Sequence, residues 1–244
     1  MIDLKKGEKI EDLQCRGLKI IQNKNWFCFG MDAVLLANYC ELEDGEEVVD
    51  LGTGTGIMPI LLYGKNNVKK IFGIEIQKEV AEMAERSIKL NEVEGYVEII
   101  NINIKDYRKY LKKNHFDTVI SNPPYIKTSS NLISPEKKKA LSRHEIEGNL
   151  EDFIRTAAEL LKHRGKYYMV YRPNRLVEVF QYMKKYKIEP KKIRFVQNRV
   201  DEDPNLVLIK GVKAANSHLL VEKPLIIFDE RGNNTEELNK IYSS

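Results

Sequence analysis

The sequence predicts an α/β protein built on a seven-stranded, mostly parallel sheet with helices on both faces. Three observations carry that expectation. Short apolar runs recur from about residue 46 onward, amphipathic helical stretches separate them, and the first run ends in a cluster of glycines at Gly52, Gly54 and Gly56. Strands that alternate with helices close most simply into a parallel sheet whose crossovers cover both faces.

Glu47-Val48-Val49-Asp50-Leu51 reads as the first core strand, Lys70-Ile71-Phe72-Gly73-Ile74-Glu75 as the second and Val97-Glu98-Ile99-Ile100 as the third. Phe116 to Ile120 and Tyr167 to Tyr171 follow, then Ile193 to Val196 and Leu206 to Ile209. Gln77 to Leu90 sets Val80, Ala81, Ala84 and Ile88 on one face at a period near 3.6, the mark of an amphipathic helix. Leu150 to Leu161 reads the same way, as does Pro173 to Lys185, where proline suits a first helical turn. Gly211 to Lys223 is polar and strand-poor, so the last two strands, joined through Gln197 to Asn205, are expected to form an antiparallel closing pair. Residues 1–45 are expected to cap the site side of the sheet. The whole chain, 1–244, reads as one domain with its core at 46–244.

Hydrophobic residues make up 42% and charged residues 31%, which fits a soluble protein with a buried core. No apolar run is long enough to cross a bilayer, and Met1-Ile2-Asp3-Leu4-Lys5-Lys6 lacks the pattern of a secretory signal, so a cytoplasmic location and no membrane partner are expected. Cys15, Cys28 and Cys40 are odd in number and never spaced as C-x-x-C, which supports neither a disulfide framework nor a zinc site; no metal is expected. The net charge of +4 is modest for a dedicated nucleic-acid binder. Its distribution is more informative: basic residues gather at Lys137-Lys138-Lys139, at Lys162 to Lys166, and from Lys184-Lys185-Tyr186-Lys187 through Arg194. Any one cluster reads as a solvated helix end; together they favour an anionic substrate.

Three constellations carry chemistry. In Asp50-Leu51-Gly52-Thr53-Gly54-Thr55-Gly56, glycines ending a strand and opening a helix let backbone approach a ligand closely. A dinucleotide fingerprint would place a third glycine where Ile57 stands, so that reading fails. Glu75 ends the next strand about 20 residues on, where a carboxylate can accept both hydroxyls of a ribose diol. Asn122-Pro123-Pro124-Tyr125 follows the fourth strand. The Asn122 side-chain oxygen and the Pro123 carbonyl could each accept an N–H from a weakly nucleophilic amine. The prolines stiffen that backbone, and Tyr125 offers a stacking face. Such a site works by positioning and transition-state hydrogen bonding, without a covalent intermediate.

These motifs resemble the class I S-adenosylmethionine-dependent methyltransferases, which have a Rossmann-like fold. The Asn-Pro-Pro-Tyr loop is similar to that of the amino-methyltransferases acting on adenine N6, guanine N2 or glutamine N5. From Ile20 to about Phe228 the chain is most similar to the tRNA1(Val) adenine-37 N6-methyltransferase family, including Phe27 to Ala37, Ser142-Arg143-His144-Glu145 and Tyr171-Arg172-Pro173. The resemblance implies S-adenosylmethionine as cofactor and tRNA as substrate. It implies cofactor contacts from Asp50, Gly52, Thr53, Gly54, Gly56, Glu75, Ile76, Asn103, Ile104 and Asn122, with the segment around Phe29 and Asp32 closing over them. Asn122, Pro123, Pro124 and Tyr125 become the catalytic loop. Tyr125, Arg143, His144, Lys184, Lys185 and Lys187 become candidates for substrate binding. Many relatives carry an aspartate before an apolar residue after the third strand; here Asn103-Ile104 stands there, and Asp106 lies three residues on. The polar stretch Lys127 to Glu147 is long for a bare connection and is expected to order on substrate.

Three other readings stand beside the adenine N6 enzyme. A release-factor-type glutamine N5-methyltransferase shares the four-residue motif but usually has a longer helical segment before its core than the roughly 45 residues here. Tyr125 rather than phenylalanine counts against a guanine N2 enzyme. A non-catalytic RNA-binding protein with a retained cofactor fold is the alternative from a different class, and the intact motifs count against it.

Overall fold

The computed structural model describes residues 3–23, 30–125 and 148–243. Among them are eleven strands and six α-helices. A hairpin of β1 (Glu8–Asp12) and β2 (Lys19–Asn23) precedes helix α1 (Met31–Tyr39). The core then alternates as β3 (Glu47–Leu51), α2 (Ile57–Lys65), β4 (Lys70–Glu75), α3 (Lys78–Leu90), β5 (Val97–Asn101) and β6 (Phe116–Ser121). After the catalytic-loop candidates come α4 (Leu150–Leu160), β7 (Leu161–Tyr171), α5 (Leu176–Lys185), β8 (Ile188–Gln197) and β9 (Leu206–Lys213). The chain closes with β10 (Leu220–Val221), β11 (Leu225–Ile226) and α6 (Glu236–Ser243). Two 3-10 turns sit at Ile104–Lys109 and Pro173–Arg175.

The main sheet runs β10-β8-β9-β7-β6-β3-β4-β5, with β11 also on β8. Strands β3 to β7 are parallel, whereas β9 is antiparallel to both β7 and β8, which is the expected closing pair. The seven core strands match the expected number; β10 and β11 extend the sheet to nine. These two-residue strands lie along β8, an edge strand longer than its apolar run foretells, and occupy backbone groups that would otherwise stand unpaired.

Successive residues of a strand point to opposite faces, so Val48 and Val49 are both fully buried but in different layers. One layer contains α1, α2, α3 and α6; the other contains α4, α5 and the 3-10 turn at Ile104–Lys109. The N-terminal residues differ from a simple cap. The hairpin lies against α3: Ile21 N–H donates to Ser87 Oγ at 3.0 Å, and Arg86 grips Glu8 through two bonds of 2.7 and 2.6 Å. Ile20 and Ile21 are fully buried there, each worth about 1.5–3 kcal/mol in area removed from water. Helix α1 joins the layer beside α2, and only its N-terminus reaches the site.

The parallel strands present their carboxyl ends at one edge. Leu51 pairs with Ser121 and Ile74, and Ser121 with Met169, so the segments leaving β3, β4, β6 and β7 emerge at one level. Chain order reverses between β3 and β6, the place where open α/β sheets leave a crevice.

Candidate functional site

The glycine loop leaves β3 in a conformation that side chains resist. Gly52 has φ +74°, and a Cβ there would also stand 3.2 Å from the Phe153 ring; Gly56, at φ +84°, opens α2. Gly52 and Thr53 N–H groups both donate to the Ile74 carbonyl at 2.9 Å, which folds the loop over the end of β4. Glu75 fixes the far side: one carboxylate oxygen accepts from Gly54 N–H at 3.0 Å and the other from Gln77 N–H at 2.8 Å.

Asp50 lies beneath this loop, fully buried, and its Oδ2 has no hydrogen-bond partner among the described residues. Burial above all, and the neighbouring Glu75 carboxylate, push its pKa up to about 7, against an opposing pull from Thr53. The Thr55 hydroxyl is likewise buried with no partner among the described residues. Unsatisfied acceptors at this depth are costly in isolation and suit a ligand that brings cationic or polar N–H groups.

A cleft of about 150 Å³ opens between Gly52, Gly54, Glu75, Ile76, Ile104 and Asn122. Ile74, Gln77, Val80, Phe153 and Pro124 complete its wall. Phe153 and Val80 carry no sequence signal of this role, because each also lies on the buried face of an amphipathic helix. Asn103 caps the 3-10 turn, its side chain accepting from Lys105 N–H at 2.9 Å, so that acceptor is already engaged in a local turn. Asp106 is exposed and pairs with Lys109 at 3.1 Å.

Asn122 joins the cleft to a second cluster. Its Nδ2 donates to Asp32 Oδ2 at 3.0 Å, the Tyr125 hydroxyl reaches the same Oδ2 at 3.0 Å, and that hydroxyl also lies 3.0 Å from Asn122 Oδ1. Burial, with the Asp32 carboxylate, holds the Tyr125 phenol well above its usual range. The Tyr125 ring packs edge-on against Tyr171, centroids 5.5 Å apart, and the Arg172 guanidinium lies over it at 4.6 Å. Pro123 is buried and Pro124 faces the cleft. Asp32, expected over the cofactor, touches two of the catalytic-loop candidates.

Lys184, Lys185 and Lys187 are not brought to this edge. Lys187 precedes β8, whose first residue pairs with Lys213, whereas Tyr171, beside Tyr125, pairs with Val207. Those positions on β9 are six residues apart, about 20 Å at 3.3 Å per residue. Lys184 pairs with Glu189 and Lys185 with Glu151. Phe29, Arg143, His144 and the loop 127–147 lie outside the described residues, as does the cluster at Lys137 to Lys139. Among the described residues there is no group of His, Cys, Asp and Glu that could hold a metal, and no helix is long and apolar enough to cross a membrane.

Comparison with known proteins shows the family and the fold. Residues 28–191 match the family model described as methyltransferase small domain. A tRNA1(Val) (adenine(37)-N6)-methyltransferase from a Flavobacteriaceae bacterium is 28% identical over 149 residues, 61% of each chain, so the match spans about three fifths of that relative's length. The Porphyromonas gingivalis protein of the same name is 27% identical over 185 residues, 73% of this chain and 72% of its own. Among solved structures, a predicted O-methyltransferase from Agrobacterium tumefaciens superposes with a TM-score of 0.71 at 23% identity, covering 87% of this chain and 95% of its own. The precorrin-6y C5,15-methyltransferase of Geobacter metallireducens gives 0.57 at 14% identity, covering 80% and 94%. These two likenesses establish the class I methyltransferase fold alone.

Proposed function

This chain belongs to the methyltransferase small domain family, and from that premise we propose that it transfers a methyl group from S-adenosylmethionine to the exocyclic N6 of an adenine in tRNA. Adenine 37 of tRNA1(Val), the substrate in its relatives' names, is the first candidate. One observation carries the reading: Asn122 lines the same cleft as Gly52, Gly54 and Glu75, so an amine acceptor and a glycine-walled ligand site share one space.

The residues present fit the cofactor. Asp50, buried with an unpartnered oxygen, suits the ammonium of its methionine end, and Glu75 stands where a ribose diol would be met. Ile76 and Ile104 supply apolar walls for its adenine. Once bound, the cofactor supplies a methyl carbon made electrophilic by its sulfonium.

The chain's own task is to present the substrate nitrogen. Its lone pair is delocalised into the ring, so the amine is a poor nucleophile until it becomes pyramidal. Asn122 Oδ1 and the Pro123 carbonyl accept its two N–H groups, and these bonds strengthen as positive charge develops on nitrogen. The proton is acidic once nitrogen is alkylated, so solvent can take it without a dedicated base. Tyr125 stacks on the base, and Arg172 beside it offers a positive charge to an RNA backbone.

Labelled cofactor incubated with total tRNA lacking modifications, followed by nucleoside analysis, tests the assignment. The expected product is N6-methyladenosine. Label recovered in protein as methylglutamine, or in another nucleoside, would overturn it.

A further inference from the structure

Asp32 sits in the first turn of α1, 90 residues from Asn122 in the chain, yet it makes polar contacts with two of the catalytic-loop candidates. Its Oδ1 accepts from Ala33 N–H at 2.9 Å, and the helix N-terminus favours its negative charge. Its Oδ2 receives both the Asn122 amide and the Tyr125 hydroxyl at 3.0 Å. It does not line the cleft between the glycine loop and Phe153.

An ionised carboxylate can only accept hydrogen bonds. Whichever way the Asn122 amide is drawn, Asp32 is satisfied only by its NH2 end, which leaves the oxygen 3.0 Å from the Tyr125 hydroxyl. That orientation is the one a substrate amine needs; a flipped amide would oppose donor to donor. The Tyr125 hydroxyl is shared between Asp32 and Asn122 Oδ1. When its proton is given to Asp32, the Asn122 oxygen keeps its lone pairs for another donor.

Resting on the methyl-transfer reading above, we propose that Asp32 is a positioning residue: it orients the Asn122 amide and the Tyr125 hydroxyl so that Asn122 Oδ1 can hold the substrate amine, and does not itself hold the cofactor.

The test is a double-mutant cycle on the full chain with Asp32→Asn, Asn122→Ala and both together, with Asp32→Glu as the conservative variant. Asp32→Asn should lower kcat on unmodified tRNA about 10- to 100-fold, the size of a lost charge-assisted hydrogen bond. Its S-adenosylmethionine Kd, measured calorimetrically without RNA, should stay unchanged. The double variant should be no slower than Asn122→Ala, and Asp32→Glu should recover part of the loss. Additive losses, or a weakened cofactor Kd, would overturn the proposal. A second arm needs no RNA. In protein labelled with 15N-asparagine, the Asn122 side-chain NH2, assigned by its absence in Asn122→Ala, should exchange slowly with solvent and become fast in Asp32→Asn. If that exchange is indifferent to Asp32, the proposal falls whatever the substrate. If it responds while no RNA is methylated, the substrate reading fails and the role of Asp32 stands.

Discussion

The Arg172 guanidinium lies 4.6 Å from the centroid of the Tyr125 ring, while one of its nitrogens donates to the Asn205 carbonyl at 2.9 Å. A planar cation thus occupies a face on which a planar base would stack. The contact is worth about 0.5–2 kcal/mol, more as the pair is desolvated, and stacking a base is worth about 1–3 kcal/mol. Base binding can therefore compete with Arg172 for the ring and leave its charge beside the RNA backbone. Arg172→Ala should raise the RNA Kd and reduce the slope of log Kd against log salt by about one phosphate contact. Titrations at several salt concentrations measure this; an unchanged slope would mean that Arg172 only shields Tyr125.

Tyr125 has two separable functions. Tyr125→Phe removes the hydroxyl shared by Asp32 and Asn122 but keeps the ring, so kcat should fall while the RNA KM holds. Tyr125→Ala removes the ring as well and should raise KM about 5- to 100-fold, the loss of one base stack. Steady-state kinetics of both variants decide this. Equal KM values would remove stacking from the account.

Asp50 links cofactor binding to pH. Its pKa, raised by burial from 3.8 to about 7, leaves it protonated in the folded protein where the unfolded chain would be ionised. Its contribution to stability is complete below about pH 4 and is lost as pH rises through about 7. A bound ammonium favours the carboxylate, so binding should release a proton. Affinity for S-adenosylmethionine should therefore rise with pH and level off above about 7. Calorimetry in buffers of different ionisation heat reads the proton directly. Asp50→Asn should abolish the release, and release that persists in this variant would assign the titration elsewhere.

Gly52→Ala tests the loop backbone. The new Cβ meets a φ of +74° and the Phe153 ring at 3.2 Å, so the loop must shift or Phe153 must move into the cleft. The backbone conformation alone costs about 1 kcal/mol. Thermal unfolding should show a modest loss of stability, and cofactor affinity should fall further than stability does. Unaltered affinity would place the ligand away from Gly52.

The central strands are legible in the sequence because burial on both faces demands unbroken apolar runs, as at Val48-Val49 and Val119-Ile120. The first half of β8 is not, because Glu189, Pro190, Lys191 and Lys192 suit an edge and resemble a loop. The β1–β2 hairpin is hidden similarly: its alternating lysines and glutamates are held by contacts with α3 that no local pattern reveals. At the site, the glycine loop, Glu75 and Asn122 are legible because each stands at a strand end with a fixed spacing. The Asp32–Asn122 contact is not, since the two residues are 90 positions apart and no local pattern links them. The lysines at the end of α5 mislead because charge pattern carries no information about which end of a sheet it decorates; register places Lys187, beside Ile188, at the end away from Tyr125.

The most direct measurement compares wild type with Asn122→Ala in one experiment: nucleoside analysis of unmodified tRNA after incubation with labelled cofactor, alongside cofactor Kd for each protein. The account predicts N6-methyladenosine from wild type, a loss of about 100-fold or more in the variant, and cofactor affinity within a few-fold of wild type. Undiminished methylation by Asn122→Ala, or a loss of activity matched by an equal loss of cofactor binding, would contradict it.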